Sequence, residues 1–330
     1  LSYDEPRIIE EVNRIAKAID REIARIEVSN RGSLYRAAFY LPKLGGKRMR
    51  PFVVLNSSHL VRGHEEAAFS AALAVELLHN FTLVHDDIMD RDEYRRNHKT
   101  THVVYGEATA ILAGDLLFSK AFEEAAKAEE LSGARGIVKE LALSSEKIAE
   151  GQFLDISFER GEKVSLDDYL EMIYLKTAAL YETSAVVGGL TAGRYDQDRL
   201  RMLSEFGRNL GLAFQIRDDY LGVFGDSAIT GKPVGNDILR GKKSAPILLA
   251  LSKENVDLSP LKRALGNPRS THDDVVQAID FLRRLGVDTE CRRMADEFAR
   301  RAVDSLSPFE DSDAKSLLSG LAYYAVARDR

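Results

Sequence analysis

Apolar residues recur at three- and four-residue steps along almost the whole chain. Ile8, Ile9, Val12, Ile15, Ala16, Ile19, Ile23 and Ile26 trace one face of an amphipathic helix. The same spacing runs over residues 66–90, 112–128, 136–158, 166–191 and 198–223, and through several further segments after Pro246. Alternating β-branched or aromatic runs between tight-turn pairs are scarce, so the pattern predicts no sheet. The prolines fall at segment boundaries, and Pro51 and Pro246 are placed for a first helical turn, where the missing N–H costs nothing. The predicted fold is all-α.

Length alone, 330 residues, would allow two domains at ~150 residues each. No Pro/Ser-rich linker or low-complexity tract divides the chain, so one large helical domain over 1–330 is expected. The stretch 222–243 is different: glycines at 222, 225, 231, 235 and 241 alternate with lysines and aspartates. That composition suits a lid that handles anions. The polar stretch 91–99 is a second candidate functional loop.

With 45% hydrophobic and 30% charged residues, disorder is excluded. A formal net charge of −6 argues against nucleic-acid and anionic-membrane binding, which need a basic excess. One cysteine, Cys291, gives no internal disulfide or Cys-rich metal site. No signal-peptide pattern opens the sequence, and no apolar run reaches the roughly 18 residues of a membrane span. The expectation is a soluble cytoplasmic protein.

Candidate chemistry concentrates at two acidic clusters. Asp86, Asp87 and Asp90 end the apolar stretch 71–84, with Asp86 and Asp90 one turn apart on one face. Two like charges 4 Å apart cost about 4 kcal/mol at an effective dielectric near 20, so a cation is needed. Oxygen ligands without cysteine point to a hard divalent ion, and Mg²⁺ suits a site completed by water and phosphate. Asp218 and Asp219 close a second apolar stretch, 210–214, and again open onto a Gly-rich segment. Two such ends suggest facing walls of one cavity. Lys47 and Arg50 after Gly45-Gly46, the pair Arg95-Arg96, Lys176-Thr177, Lys232 and Lys242 supply the cations of a polyanion site. A phosphorylated substrate, most naturally a diphosphate, is implied.

Two histidine patterns compete. Glu76-x-x-His79 has di-iron spacing, but no second copy occurs among the seven histidines. His85-Asp86 could be the HD pair of a helical phosphohydrolase, a reading that leaves Asp218, Asp219 and the lysines unexplained. Phosphate-loop and dinucleotide fingerprints are absent.

Gly-Lys-x-x-Arg-Pro at 46–51, Asp-Asp-x-x-Asp at 86–90, Arg95-Arg96, Lys176-Thr177, Phe-Gln-Ile-Arg-Asp-Asp at 214–219, Gly-Lys-Pro at 231–233 and Gly241-Lys242 together resemble the trans-isoprenyl diphosphate synthases, or polyprenyl synthetases. The motifs stand in the family's order. The resemblance implies long helices around a deep central cavity and a homodimer. It also implies three Mg²⁺ per site: Asp86, Asp90 and Asp218 as ligands, Asp87 and Asp219 supporting. Arg95, Lys176, Lys232 and Lys242 would grip the allylic diphosphate; Lys47, Arg50, His79 and Arg96 would hold isopentenyl diphosphate. Thr177 and Gln215 would flank the reacting carbons, making Lys176, Thr177 and Gln215 the candidate catalytic residues.

The sequence departs from the family pattern twice. Gly222 stands where a third aspartate is usual, as in members of archaeal type, and Asp226 or Asp237 is expected to supply an outer carboxylate. Asn97 replaces a glycine after the arginine pair. Thr82 and Phe81, four and five residues before Asp86 and about one turn (~5.4 Å) deeper, are the expected chain-length residues. Small Thr82 with Phe81 as a floor resembles the pattern of the family's geranylgeranyl synthases, a resemblance that implies a C20 product, geranylgeranyl diphosphate, with C15 as the alternative. An HD-type hydrolase and a non-catalytic synthase subunit are the remaining alternatives.

Overall fold

The computed structural model describes residues 4–29, 32–159, 163–194, 196–225 and 235–328. Each predicted periodic stretch is helical, and all but residues 166–191 correspond to single α-helices. The first is α1 (Glu5–Ser29), followed by the short α2 (Ser33–Ala38) and α3 (Tyr40–Lys43), then α4 (Met49–Leu60) and α5 (Glu65–Met89). After α6 (Thr101–Tyr105) come the long α7 (Glu107–Ser132) and α8 (Ile137–Glu159), then α9 (Leu166–Ile173), α10 (Ala179–Leu190) and α11 (Gln197–Phe224). The chain closes with α12 (Asn236–Arg240), α13 (Ala245–Leu251), α14 (Ser259–Ala264), α15 (His272–Arg284), α16 (Val287–Ser305) and α17 (Asp313–Ala327). Pro51 and Pro246 lie in the first turns of α4 and α13, as expected.

Two details depart from the periodicity. Residues 166–190 are not one α-helix: a π-helical turn, Tyr174–Ala178, separates α9 from α10. The polar stretch 91–99 holds a small antiparallel hairpin, β1 (Tyr94–Arg95) and β2 (His98–Lys99). Its two turn residues, Arg96 and Asn97, have φ of 53° and 63°, the left-handed pair of a tight hairpin turn. Asparagine tolerates that region better than most residues, so Asn97 fits where the family pattern has glycine.

Local chemistry sets the helix starts. Ser165 with Asp168, and Thr271 with Asp274, form reciprocal capping boxes at α9 and α15. α1 buries Ile8, Ile15, Ile19 and Ile23 while its other faces stay wet. α5 packs against α7 and α4, α10 against α4 and α11, and α11 against α16. α5 is long and apolar enough to cross a membrane by length and composition, a feature the run-length reading overlooked. Yet 72% of that stretch is buried inside the protein, as a central core helix would be. Its C-terminal end and that of α11 carry the two acidic clusters.

Close helix contacts depend on glycine. A Cβ at Gly188 of α10 would lie 2.4 Å from the Val54 carbonyl oxygen of α4, and one at Gly207 of α11 would lie 2.4 Å from that of Tyr181. Neither backbone can yield cheaply. Gly188→Ala is therefore expected to destabilise the fold by about 1–3 kcal/mol, read as a lower urea midpoint with an unchanged slope.

Candidate active site

The acidic ends of α5 and α11 meet over one cavity of about 810 Å³, lined by Asp86, Asp90, Asp218 and Asp219. Each cluster sits in or near a helix C-terminus, where the dipole is already negative. Burial pushes the Asp86 carboxyl up to about 6; Lys176 opposes the shift and Asp90 adds to it. Burial also raises Asp90. These carboxylates lack the solvation that an ionised form needs.

Within each cluster one aspartate is tied up. Asp87 is 1% exposed, accepts from Arg95 Nε at 2.7 Å, and stands outside the cavity lining. Asp219 is buried and accepts from the Tyr169 hydroxyl at 2.7 Å, the Ala245 N–H at 3.1 Å and Gln215 Nε2 at 2.9 Å. Asp218 is more open and accepts from Arg328 Nη2. Arg328 itself lies 4.0 Å over the Phe214 ring, and its carbonyl accepts from Arg217.

A basic wall faces the acids. Lys47, Arg50, His79, Arg95 and Arg96 all line the cavity. His79 is held well below its ordinary value, first by burial and then by Arg50, Arg96, Arg95 and Arg48. Burial brings Arg96 down to about 10, with Arg48 contributing next. Arg96 Nη1 donates to the Gly45 carbonyl, and a Cβ at Gly46 (φ 153°) would lie 2.9 Å from Arg96 Nη2. The glycine pair thus makes room for the guanidinium. Arg48, between the two motif cations, is instead structural: it is 2% exposed and pairs with Asp20 at 2.8 Å and with Glu76.

The π-helical turn carries Lys176 and Thr177. Consecutive residues of an α-helix point about 100° apart; here both line the cavity, and wide turns of this kind favour functional sites. Lys176 Nζ donates to Asp155 at 2.5 Å, a carboxylate on α8 that the motif reading did not include. Thr177 Oγ1 donates to Gln215 Oε1 at 2.9 Å. A chain therefore runs from Thr177 through Gln215 to Asp219 and Tyr169.

Gly222 has an unexpected neighbour. A Cβ there would lie 2.5 Å from Asp237 Oδ2, so the Asp237 carboxylate occupies the space of a side chain at 222. Asp237 lines the cavity. Lys242 also lines it and is raised beyond the ordinary lysine range, by Asp219 and then Asp237 against the opposing effect of burial.

Thr82 lines the cavity, whereas Phe81 does not. The Phe81 ring packs edge-on to Phe118 at 5.1 Å and His85 at 4.7 Å. His85 contacts the Ile111 carbonyl at 3.1 Å and is also outside the lining, which separates it from Asp86 and weakens the HD reading. Lys232 and Asp226 fall outside the described residues. Arg328 and Asp155 are the site residues that motif reading missed.

Fold and site together define an all-α protein in which an acidic and a basic wall face one another across a helical cavity. The family model described as Polyprenyl synthetase matches residues 31–282. The geranylgeranyl diphosphate synthase of Saccharolobus solfataricus is 40% identical over 324 residues, covering 96% of either chain. The geranylfarnesyl diphosphate synthase of Aeropyrum pernix is 41% identical over 304 residues, covering 88% of this chain and 93% of the relative. The crystal structure of a geranylgeranyl pyrophosphate synthetase from Pyrococcus horikoshii superposes with a TM-score of 0.88 at 40% identity, covering 97% and 98% of the two chains. This chain belongs to the polyprenyl synthetase family.

Burying Asp86 beside Asp90 destabilises the folded state whenever both are ionised, because the folded carboxyl holds its proton more tightly than the unfolded one. At pH 8 in a chelator, Asp86→Asn is expected to raise the thermal midpoint, equivalent to about 1–3 kcal/mol. Differential scanning calorimetry checks it; an unchanged or lower midpoint contradicts the burial argument.

Proposed function

We propose that this chain is a short-chain prenyltransferase that condenses isopentenyl diphosphate with an allylic diphosphate and stops at geranylgeranyl diphosphate, C20. The observation that carries the reading is the cavity itself: open aspartates on two helix ends facing a wall that gathers Lys47, Arg50, Arg95 and Arg96 around His79, which burial first and the arginines next hold well below its ordinary value. Such a cation surplus calls for a polyanion. The relatives named for geranylgeranyl diphosphate support C20, with farnesyl diphosphate as the nearer alternative.

Oxygen-only donors and the poorly solvated Asp86 and Asp90 fit Mg²⁺. Among the described residues no three acidic, histidine or cysteine groups stand ready to hold an ion alone, so diphosphate oxygens and water would complete the ligand set. Bound Mg²⁺, three ions by family resemblance, would neutralise the diphosphate oxygens as negative charge develops on them. Asp86, Asp90 and Asp218 would hold the ions, with Asp87 and Asp219 supporting through the groups they orient.

Arg95 and Lys176 would grip the allylic diphosphate, joined by Lys232 and Lys242, while Lys47, Arg50, His79 and Arg96 bind isopentenyl diphosphate. The allylic C–O bond breaks and its electron pair leaves with diphosphate. The double bond of isopentenyl diphosphate then forms the new C–C bond, and proton loss, with the departed diphosphate as acceptor, restores neutrality. Thr177, held by its bond to Gln215, presents oxygen lone pairs rather than a reactive base to the cation.

The same reading makes the chain one cytoplasmic domain and a homodimer. Ile111, Leu112, Leu143 and Phe153 are exposed on α7 and α8, Phe153 at 70%, an apolar surface that a second copy would cover. Light scattering on the eluting protein should give twice the 36.7 kDa chain mass. Phe153→Glu with Leu112→Glu should give the single-chain mass; a wild-type monomer would contradict the dimer.

Labelled isopentenyl diphosphate supplied with Mg²⁺ and a C5, C10 or C15 allylic primer should yield C20. No condensation with any primer overturns the activity. Thr82→Phe should shorten the product and Phe81→Ser lengthen it, read by chromatography of the dephosphorylated alcohols. Unchanged length in both variants moves the floor elsewhere.

A further inference from the structure

A π-helical turn is rare because its hydrogen bonds are less favourable than those of an α-helix, so the one that aims Lys176 and Thr177 at the cavity needs support. Its first residue, Tyr174, is fastened twice to α10. The Tyr174 carbonyl accepts the Ala179 N–H, the bond that closes the wide turn. The Tyr174 hydroxyl donates to Glu182 Oε2 at 2.7 Å and accepts from Lys147 Nζ of α8 at 2.8 Å. Glu182 Oε1 in turn accepts from the Ser204 hydroxyl of α11 at 2.6 Å. The Arg208 guanidinium lies 4.4 Å over the Tyr174 ring. Burial pushes the Tyr174 hydroxyl up, so it keeps the proton it donates. Tyr174, Lys147, Glu182 and Ser204 all stand outside the cavity lining, and Tyr174 is about half a turn round the helix from Lys176.

We propose that Tyr174, held by Glu182 and Lys147, is a positioning residue that keeps the turn wide, so that Lys176 and Thr177 face the substrate together. The inference rests on the prenyltransferase reading above, which gives Lys176 the allylic diphosphate and Thr177 the reacting carbons. In an uninterrupted α-helix the eight residues from Tyr174 to Glu182 would rise about 12 Å, a long span for two side chains to close. A wider turn, with the same separation of about 3.8 Å between successive Cα atoms, rises less per residue and brings them nearer. The hydroxyl bond is thus stronger in the wide form, and by that difference it favours the wide form. Reversion to a plain α-helix would rotate the segment before the turn by about 100° relative to α10, and the two side chains would no longer share the cavity. Lys47, Arg50, His79 and Arg96 stand on other elements, so the isopentenyl diphosphate side of the site is independent of this brace.

Tyr174→Phe keeps the ring beneath Arg208 and removes only the hydroxyl. Hydrogen–deuterium exchange read by mass spectrometry should show residues 174–182 exchanging about tenfold faster than in the wild type, with peptides from α5 and from the C-terminal half of α11 unchanged. The wild type is first assayed for condensation of isopentenyl diphosphate with a C15 primer. With that activity present, Tyr174→Phe should lower kcat about tenfold, while KM for isopentenyl diphosphate stays within twofold. Glu182→Leu should reproduce both effects. Glu182→Gln, which keeps an acceptor for Tyr174 and offers a donor to Ser204, should restore most of kcat. Unchanged exchange over 174–182, faster exchange spread over the whole chain, or a kcat within twofold of wild type in Tyr174→Phe overturns the inference and leaves the prenyltransferase reading intact. A wild type that condenses nothing overturns both.

Discussion

Ionised groups buried among apolar helices are the constraint on which this structure turns. A buried charge left alone costs several kcal/mol, and most charges around the cavity are matched: Arg48 to Glu76 and Asp20, Arg95 to Asp87, Lys176 to Asp155, Arg328 to Asp218. These pairs do not cancel everywhere. Burial first, and neighbouring carboxylates after it, raise Asp86 and Asp90, while burial first, and neighbouring arginines after it, depress His79 and Arg96. The protein thus holds surplus negative charge on one wall and surplus positive charge on the other. The metal diphosphate proposed as ligand would bring both signs to relieve them.

Backbone geometry keeps those walls at working distance. Gly46 admits Arg96, Gly151 admits the π-helical turn, and Gly222 admits the Asp237 carboxylate. Each is a place where a Cβ would collide with a group of the site or with its supporting backbone. The tied aspartates extend the same logic: Asp219 fixes Gln215, which fixes Thr177. In both Asp-Asp pairs the more buried partner is held by its neighbours, while the more open one lines the cavity.

The helices were legible in the sequence because their periodicity is local; α1, α5, α8 and α11 end within a few residues of the stretches read from spacing alone. The acidic pairs and most of the basic residues were legible as motifs. What escaped involves distance or backbone detail. Arg328 reaches Asp218 across 110 residues, and a lone arginine near a chain end carries no spacing signal. The π-helical turn adds one residue to a run whose apolar pattern still looks helical. Asp237 was named as a candidate carboxylate, but only the folded chain places it in the space beside Gly222. Arg48 sits inside a basic motif and looks like its neighbours until its burial against Glu76 is seen.

Helix faces also order the residues proposed to set product length. On α5, His79, Thr82, Asp86 and Asp90 recur at steps of three and four, and all line the cavity. Phe81 and His85, also four apart, lie on the adjoining face and pack on each other; Phe81 also packs on Phe118 of α7, which lies tilted beside Phe122 at 4.8 Å. Gly114 of α7 leaves the space that His85 occupies, since a Cβ there would lie 2.2 Å from its Nε2. A bulkier residue at 82 intrudes on the cavity directly. A smaller one at 81 would act through the wall, by loosening the aromatic cluster behind the lining. On the proposed reading the two neighbours would therefore act on length by different means, one by filling space and the other by releasing it.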